Sequence, residues 1–219
     1  MMKKSKQLFI SKNITEIKLL IDFCLVNKIE LIAHSFLQFD ALDFKIAKGY
    51  EAIFFGSPRA VYFYFQQEKL PENTLVGCVG DITAASLKEY GITPSFVGSN
   101  AGNPSEVGQQ FKLLVEDKKV LFPQSLSSNR SIASLFPENQ LQEVSIYKTV
   151  VKPLSIPKCD TYVFTSPSNV DGFLLENTIP IGTKVIAWGK TTEKYLVLKG
   201  FDVDKCLDTA SVDELICLL

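Results

Sequence analysis

The side chains in this sequence best suited to chemistry are hydroxyls at turns. Ser57-Pro58 and Ser166-Pro167 each follow a short apolar run and lead into a helix-period stretch. A serine there is an N-cap and the proline is the first helical residue. Such a turn offers free backbone N–H groups and the positive end of a helix dipole to an anion. Gly80-Asp81-Ile82-Thr83 and Gly189-Lys190-Thr191-Thr192 form a second pair of turns with the same property. Caps of this kind also serve as plain helix starts, which is their commoner use. Arg59, beside the first Ser-Pro, can pair with a carboxylate or simply point to solvent from its helix. Gln124 to Arg130 (QSLSSNR) make a polar turn after a strand. Tyr147 carries a hydroxyl in a strand-like stretch, where packing alone would also account for it.

Other chemistries find few parts here. None of the turns has the G-x-G-x-x-G or G-x-x-x-x-G-K-[ST] pattern, which argues against a dinucleotide or a nucleoside triphosphate. The single histidine, His34, has no evident partner and reads as structural. No serine sits in G-x-S-x-G, so a Ser-His-Asp triad has no basis. Asp81 and Asp160 are the only carboxylates placed to act as a base, and neither has a partner in view. Cys24, Cys78, Cys159, Cys206 and Cys217 are scattered, with no C-x-x-C pair. Disulfide scaffolds and zinc sites are therefore poor readings, and the thiols read as small hydrophobes in a reducing cytoplasm. Trp188 reads as core. An enzyme made of these parts works through hydroxyls, backbone N–H groups and shape, without metal.

The turns belong to an internal repeat. An offset of 109 positions aligns Phe55, Ser57, Pro58, Val61, Gly80, Thr83, Leu87 and Gly91 with identical residues from Phe164 to Gly200. These eight are among eleven identical pairs in a gapless window of 37 positions, against about two expected from ordinary residue usage. Each half reads as strand, turn, helix, strand, turn, helix. Residues 51–55 and 160–164 are buried-strand runs, as are 75–80 and 184–189. The helices that follow stop at Gly91 and Gly200, as glycines at C′ should stop them. Third strands are expected over 94–98 and 201–206. The pattern predicts an α/β protein with parallel sheets and helices on both faces.

A βα unit precedes each half, at residues 8–28 and 120–138, and a connection follows each, at 31–40 and 143–153. If both connections run between domains, the first domain is discontinuous. Residues 1–34 with 152–219 then form one domain and 35–151 the other, with 33–39 and 144–151 as connections. The bulk numbers suit this picture. The 219 residues are 46% hydrophobic and 21% charged with a net charge of -1, so no global field recommends nucleic acid or an anionic membrane. The basic run from Lys3 to Lys6 reads as a solvated terminus. The apolar stretch after it, Leu8 to Ile10, is too short for a secretory segment and suits a first strand. No run is long enough to span a bilayer, and the expected setting is cytoplasmic.

Together the motifs resemble the uroporphyrinogen-III synthase family. F-x-S-P-x-x-V (Phe55 to Val61) and V-G-x-x-T-A-x-x-L-x-x-x-G-I (Val79 to Ile92) come first. L-F-P (Leu121 to Pro123), with Arg130 seven positions after the proline, and I-Y-K-T (Ile146 to Thr149) follow. V-F-T-S-P-S-N-V (Val163 to Val170) and G-K-T-T (Gly189 to Thr192) complete the set. They stand in family order over roughly residues 50 to 205. The resemblance implies two flavodoxin-like domains joined by a two-stranded connection, with the ligand cleft between them. It also implies cofactor-free cyclisation of hydroxymethylbilane to uroporphyrinogen III. In that reaction the terminal hydroxyl leaves as water and the last pyrrole ring is inverted through a spiro intermediate. By this likeness Tyr147 matches the tyrosine assigned to assist departure of the hydroxyl. Ser57, Thr83, Ser166, Thr191 and Thr192 match substrate-contacting positions. Pro58, Arg59, Gly80, Gln124, Arg130, Thr165 and Gly189 complete the expected substrate-binding set. Two departures stand out: Gly56 where the family often has Thr, and Trp188 where a small aliphatic residue is usual. A monomer that meets hydroxymethylbilane synthase transiently is the implied assembly. The rival reading is a non-catalytic, two-lobed binder of a small anion.

Overall fold

The computed structural model describes residues 6–219. The basic run from Lys3 lies, but for Lys6, outside the described residues. In chain order the elements are β1 (Gln7–Ile10), α1 (Lys18–Asn27), β2 (Glu30–Ala33), β3 (Leu37–Ala41), β4 (Ala52–Phe55) and α2 (Pro58–Phe65). Next come β5 (Leu75–Cys78), α3 (Asp81–Glu89), β6 (Phe96–Val97), α4 (Pro104–Val115), β7 (Val120–Ser125) and β8 (Leu141–Val151). The chain continues with β9 (Thr161–Phe164), α5 (Pro167–Leu174), β10 (Lys184–Ala187), α6 (Lys190–Leu198), β11 (Lys205–Cys206) and α7 (Val212–Leu218). They fall into two compact units. The discontinuous unit takes the described residues up to Gln38 together with Val150–Leu219; the continuous unit is Phe39–Thr149. Both boundaries lie inside strands, β3 and β8.

Within the discontinuous unit the sheet runs β2-β1-β9-β10-β11, every pair parallel. Counted along the unit's own strands the order is 2-1-3-4-5, that of the flavodoxin-like folds. The continuous unit has the order β3-β8-β7-β4-β5-β6, parallel from β8 to β6. Alternate strand residues feed opposite faces, as the pleat requires. Ala52 and Phe54 pack with Val107 and Phe111 of α4, while Ile53 and Phe55 pack with α2 and α3 through Val61 and Leu87. In the discontinuous unit Phe9 joins the α5 and α6 face and Leu8 and Ile10 join the α1 and α7 face. Both sheets are therefore covered by helices on both sides.

The sequence repeat is a structural one. β4, α2, β5, α3 and β6 recur as β9, α5, β10, α6 and β11 at the same offset of 109 and with the same lengths. The turn details recur too: Thr74 Oγ1 donates to Pro71 O at 2.8 Å, and Thr183 Oγ1 to Pro180 O at 2.7 Å. Helices α3 and α6 close alike. Gly91 (φ 74°) and Gly200 (φ 86°) take the left-handed region. Ile92 N then reaches back to Leu87 O at 3.1 Å and Phe201 N to Leu196 O at 3.0 Å, the bond that closes a helix C-terminus. Past β6 the halves differ. In the continuous unit the chain runs on through α4 into β7, beside β4; in the other, that place beside β9 is held by β1.

Three expectations need correction. Residues 120–138 do not form a βα unit: after β7 there is a polar loop and a single 3-10 turn, Ala133–Leu135. Serine side chains there bind nearby backbone, Ser125 Oγ accepting from Ser127 N at 3.3 Å and Ser128 Oγ from Arg130 N at 3.2 Å, in competition with helix. The third strands shrink to two residues each, because β6 and β11 are edge strands paired on one side only. Residues 31–40 are not wholly a connection: β2 is a member of the first sheet. Four cysteines are buried, and burial pushes the thiols of Cys78 and Cys159 up to about 11, so they do pack as small hydrophobes. Cys217 is the exception and is exposed. Trp188 is half-buried against the Leu8 and Ile10 face.

Gly77 on β5 shows how tightly the second sheet is covered. A Cβ there would overlap the ring of Phe111, itself fully buried and 4.8 Å from the Phe54 ring centroid. Gly77→Ala is expected to destabilise the protein by about 1–3 kcal/mol in urea unfolding. Adding Phe111→Leu should recover part of that loss.

Candidate functional site

Each strand-to-helix turn is built by its own residues. Ser57 is extended (φ -166°, ψ 159°) and its Oγ accepts from Ala60 N at 3.2 Å, with Pro58 opening α2. Ser166 repeats this, its Oγ accepting from Asn169 N at 3.3 Å. Gly80 and Gly189 begin α3 and α6 without a side-chain cap. Thr83 and Thr192 lie one turn in and are only 2% and 4% exposed, whereas Thr191 is exposed.

In the continuous unit a cavity of about 450 Å³ opens beyond the carboxyl ends of β4 and β7. These are adjacent parallel strands whose following segments go to opposite faces, the crevice where such sheets bind ligands. The two strands are registered only at Ala52↔Val120 and Ile53↔Leu121. Beyond that point Pro123, which has no N–H to give, sits in β7 without disturbing the β4 ladder. One wall of the cavity is the β4–α2 turn, with Gly56, Ser57 and Ala60. A second is the end of β7 and the loop from Ser127 to Arg130. Tyr147 and Thr149 of β8 contribute a third.

A β-bulge aims Tyr147. β8 pairs with β7 residue for residue up to Gln124↔Ser145, and then Ser125 opposes Tyr147, leaving Ile146 as the extra residue. The bulge breaks the alternation, so Ile146 and Tyr147 are both buried and share one core cluster with Val144. The Tyr147 ring stacks on Phe63 at 5.0 Å and meets Phe39 edge-on at 6.2 Å. Arg59 lies outside the cavity wall; its guanidinium sits 3.8 Å over the Phe39 ring, a cation–π contact. Tyr147 is 7% exposed, and none of the hydrogen bonds among the described residues involves its hydroxyl. A buried tyrosine normally finds a partner for that group.

Glu143, which the sequence reading passed over, joins two of the expected residues. Its carboxylate accepts from Gln124 Nε2 at 2.7 Å and from Arg130 Nε at 2.8 Å, and pairs with Arg130 Nη2 as well. The bonds from Arg130 hold the Glu143 carboxyl below the ordinary carboxylate range, against partial burial that raises it; the bond from Gln124 helps. A charge opposite to Arg130 on the neighbouring strand was the only available signal, and it needed the register to be read. Thr149, also unflagged as a site residue, lies two positions beyond Tyr147 on the same strand.

The matching turn of the discontinuous unit is filled instead of open. Thr165 N donates to Ser11 Oγ at 2.8 Å, and Thr165 Oγ1 donates to Ser11 O at 2.7 Å. Asn169, 5% exposed, accepts from Phe36 N at 2.9 Å and donates to Ser166 Oγ at 3.1 Å. At the repeat offset, Thr165 and Asn169 stand where Gly56 and Ala60 line the cavity. A Cβ on Gly56 would meet nothing within 4 Å, so this departure from the family pattern leaves space. The structure thus gathers Ser57, Gln124, Arg130 and Tyr147 around one cavity. Pro58, Arg59, Gly80 and Thr83 are in the same unit but outside its lining. Thr165, Ser166, Gly189, Thr191 and Thr192 belong to the other unit. Among the described residues no group of His, Cys, Asp and Glu is placed to hold a metal ion, and no helix is long and apolar enough to cross a membrane.

The family model described as uroporphyrinogen-III synthase HemD matches residues 28–217. No curated protein sequence matches the chain. Among solved structures, uroporphyrinogen-III synthetase from Helicobacter pylori superposes with a TM-score of 0.72 at 18% identity, covering 98% of this chain and 97% of that one. A mutant uroporphyrinogen III synthase from the extremely thermophilic bacterium Thermus thermophilus superposes with a TM-score of 0.62 at 12% identity, over 98% and 96%. At such identities the likeness is one of fold.

The lowered Glu143 pKa has a consequence for stability. Its pairing stabilises the fold above the ordinary carboxylate range, and that contribution is lost as pH falls through the lowered value. Comparing urea midpoints at about pH 7 and about pH 3, Glu143→Gln should lose less stability on acidification than the unaltered protein.

Proposed function

The chain belongs to the uroporphyrinogen-III synthase family, enzymes of haem biosynthesis, and we propose that it converts hydroxymethylbilane to uroporphyrinogen III at the cavity walled by Tyr147. The observation that carries this reading is the Tyr147 hydroxyl. Its ring is clamped between Phe63 and Phe39, the almost buried residue lines the cavity, and no hydrogen bond among the described residues engages its hydroxyl. A phenol so held is free to donate to a leaving group. The substrate's terminal C–O bond breaks with help from that donation, and the hydroxyl departs as water. The substituted carbon of the last ring then attacks the methylene carbon that lost the hydroxyl, forming the spiro intermediate. Its older bond to the bridging methylene breaks and re-forms at the ring's free carbon, which loses a proton as the inverted ring closes. The overall change is loss of one water with no electron transfer, which supports a lyase that needs no redox cofactor.

The rest of the wall supports binding of a polyanion without a basic surface. The Ser57-capped start of α2 and the polar loop before Arg130 offer hydroxyls and N–H groups to carboxylate arms. About 450 Å³ is in the range of small-molecule sites, and takes one part of a linear tetrapyrrole. Positioning the bilane so that the substituted carbon, not the free end, meets the reacting centre is then most of the catalysis. Four buried thiols suit the cytoplasmic setting proposed here.

The test generates hydroxymethylbilane in situ and reads the isomer ratio of the oxidised products by chromatography. Spontaneous closure yields isomer I, so protein-dependent isomer III is the expected result. Isomer I alone from folded protein would reject the catalytic reading in favour of a binding protein. Tyr147→Phe should lower kcat by about 10²-fold or more while the melting profile is retained. An unchanged kcat in that variant would remove Tyr147 from the mechanism.

A further inference from the structure

Glu143 stands behind the cavity wall. Gln124 and Arg130 line the cavity and Glu143 does not, yet it holds both. One carboxylate on β8 thereby ties the end of β7 to the far end of the loop that follows. The loop keeps Arg130 in the left-handed region (φ 57°), which a residue with a side chain occupies only when its surroundings impose it. Ser128 Oγ, accepting from Arg130 N at 3.2 Å, and Ser134 N, donating to Arg130 O at 2.9 Å, are the other ties.

The form of the pair matters more than its strength. With the Arg130 side chain 53% exposed and that of Glu143 22%, the pair contributes little to stability as a bare ion pair. A guanidinium has five N–H donors in one plane. Glu143 grips it side-on, through Nε and Nη2. The remaining donors include the end-on edge, Nη1 with Nη2, which matches a second carboxylate in bidentate fashion.

We propose that Glu143 is a positioning residue that sets the free edge of Arg130 for a carboxylate arm of the substrate, an inference that rests on the cavity being the substrate site. Glu143 does not touch the substrate; it acts through Arg130. Removing a negative charge should by itself favour a polyanionic substrate, so a raised KM after its removal would report lost orientation and not lost repulsion.

Steady-state kinetics of isomer III formation would compare the unaltered protein with Glu143→Gln, Arg130→Ala and the double variant. Glu143→Gln keeps the side-chain volume and an acceptor for Gln124, and melting profiles check the fold of each protein. Arg130→Ala is expected to raise KM about tenfold, and Glu143→Gln roughly three- to tenfold with kcat within about twofold. The double variant should be no worse than Arg130→Ala alone, because the second residue works through the first. An unchanged or lowered KM in Glu143→Gln, or full additivity in the double variant, overturns the positioning role while a raised KM in Arg130→Ala leaves the site standing. An unchanged KM in Arg130→Ala overturns both.

Discussion

Adjacent parallel strands whose following segments go to opposite faces of a sheet must part at their carboxyl ends. In the continuous unit this happens between β4 and β7: α2 turns to one face, and the loop after β7 brings Ile132 and Ala133 to the other. In the discontinuous unit it happens between β9 and β1, where α5 and α1 diverge in the same way. The crevice is obligatory. What fills it is a matter of side chains.

The two units answer differently. Ser11, Thr165 and Asn169 close one crevice with a hydrogen-bonded network in which every bond has a buried or half-buried member. Networks like this, when satisfied, make a rigid and specific join. Asn169 also fixes Phe36, whose ring packs against Phe9 and Phe173, and so anchors the chain where it leaves β2. The other crevice has Gly56, Ala60 and Pro123 around it, residues that offer neither bulk nor side-chain hydrogen bonds, and it stays open. A duplicated fold has thus kept one copy of the crevice as a joint and the other as a cavity.

Much of the backbone was legible before any coordinates. Both Ser-Pro pairs are the N-caps their residue types demand, and Gly91 and Gly200 close their helices as their spacing implied. The first and second strands of each repeat fall within a residue or two of the apolar runs that marked them. These features are local: a cap, a C′ glycine or a buried strand is specified within a few residues. The helix expected after the polar turn at 124–130 shrinks to the single 3-10 turn Ala133–Leu135, and serines before it bind nearby backbone, an outcome that periodicity does not register. Thr83 and Thr192 share a motif with exposed Thr191, yet only the fold reveals that they are buried.

The sequence by itself therefore determined the parallel α/β class, the duplication at an offset of 109, the caps and turns, and the family to which the motifs point. Each of these depends on residues close together in the chain or on the recurrence of such groups. Only the tertiary structure decided the rest. It decided that one extra residue in β8 turns Tyr147 into the core beside Phe63, and that Glu143 meets Arg130 and Gln124. It also decided that Gly56 and Ala60 border a space which Thr165 and Asn169 border as a bonded network. These outcomes depend on the register between strands and on which side chains share a crevice. Register is settled by pairing across the sheet, which no short stretch of sequence specifies.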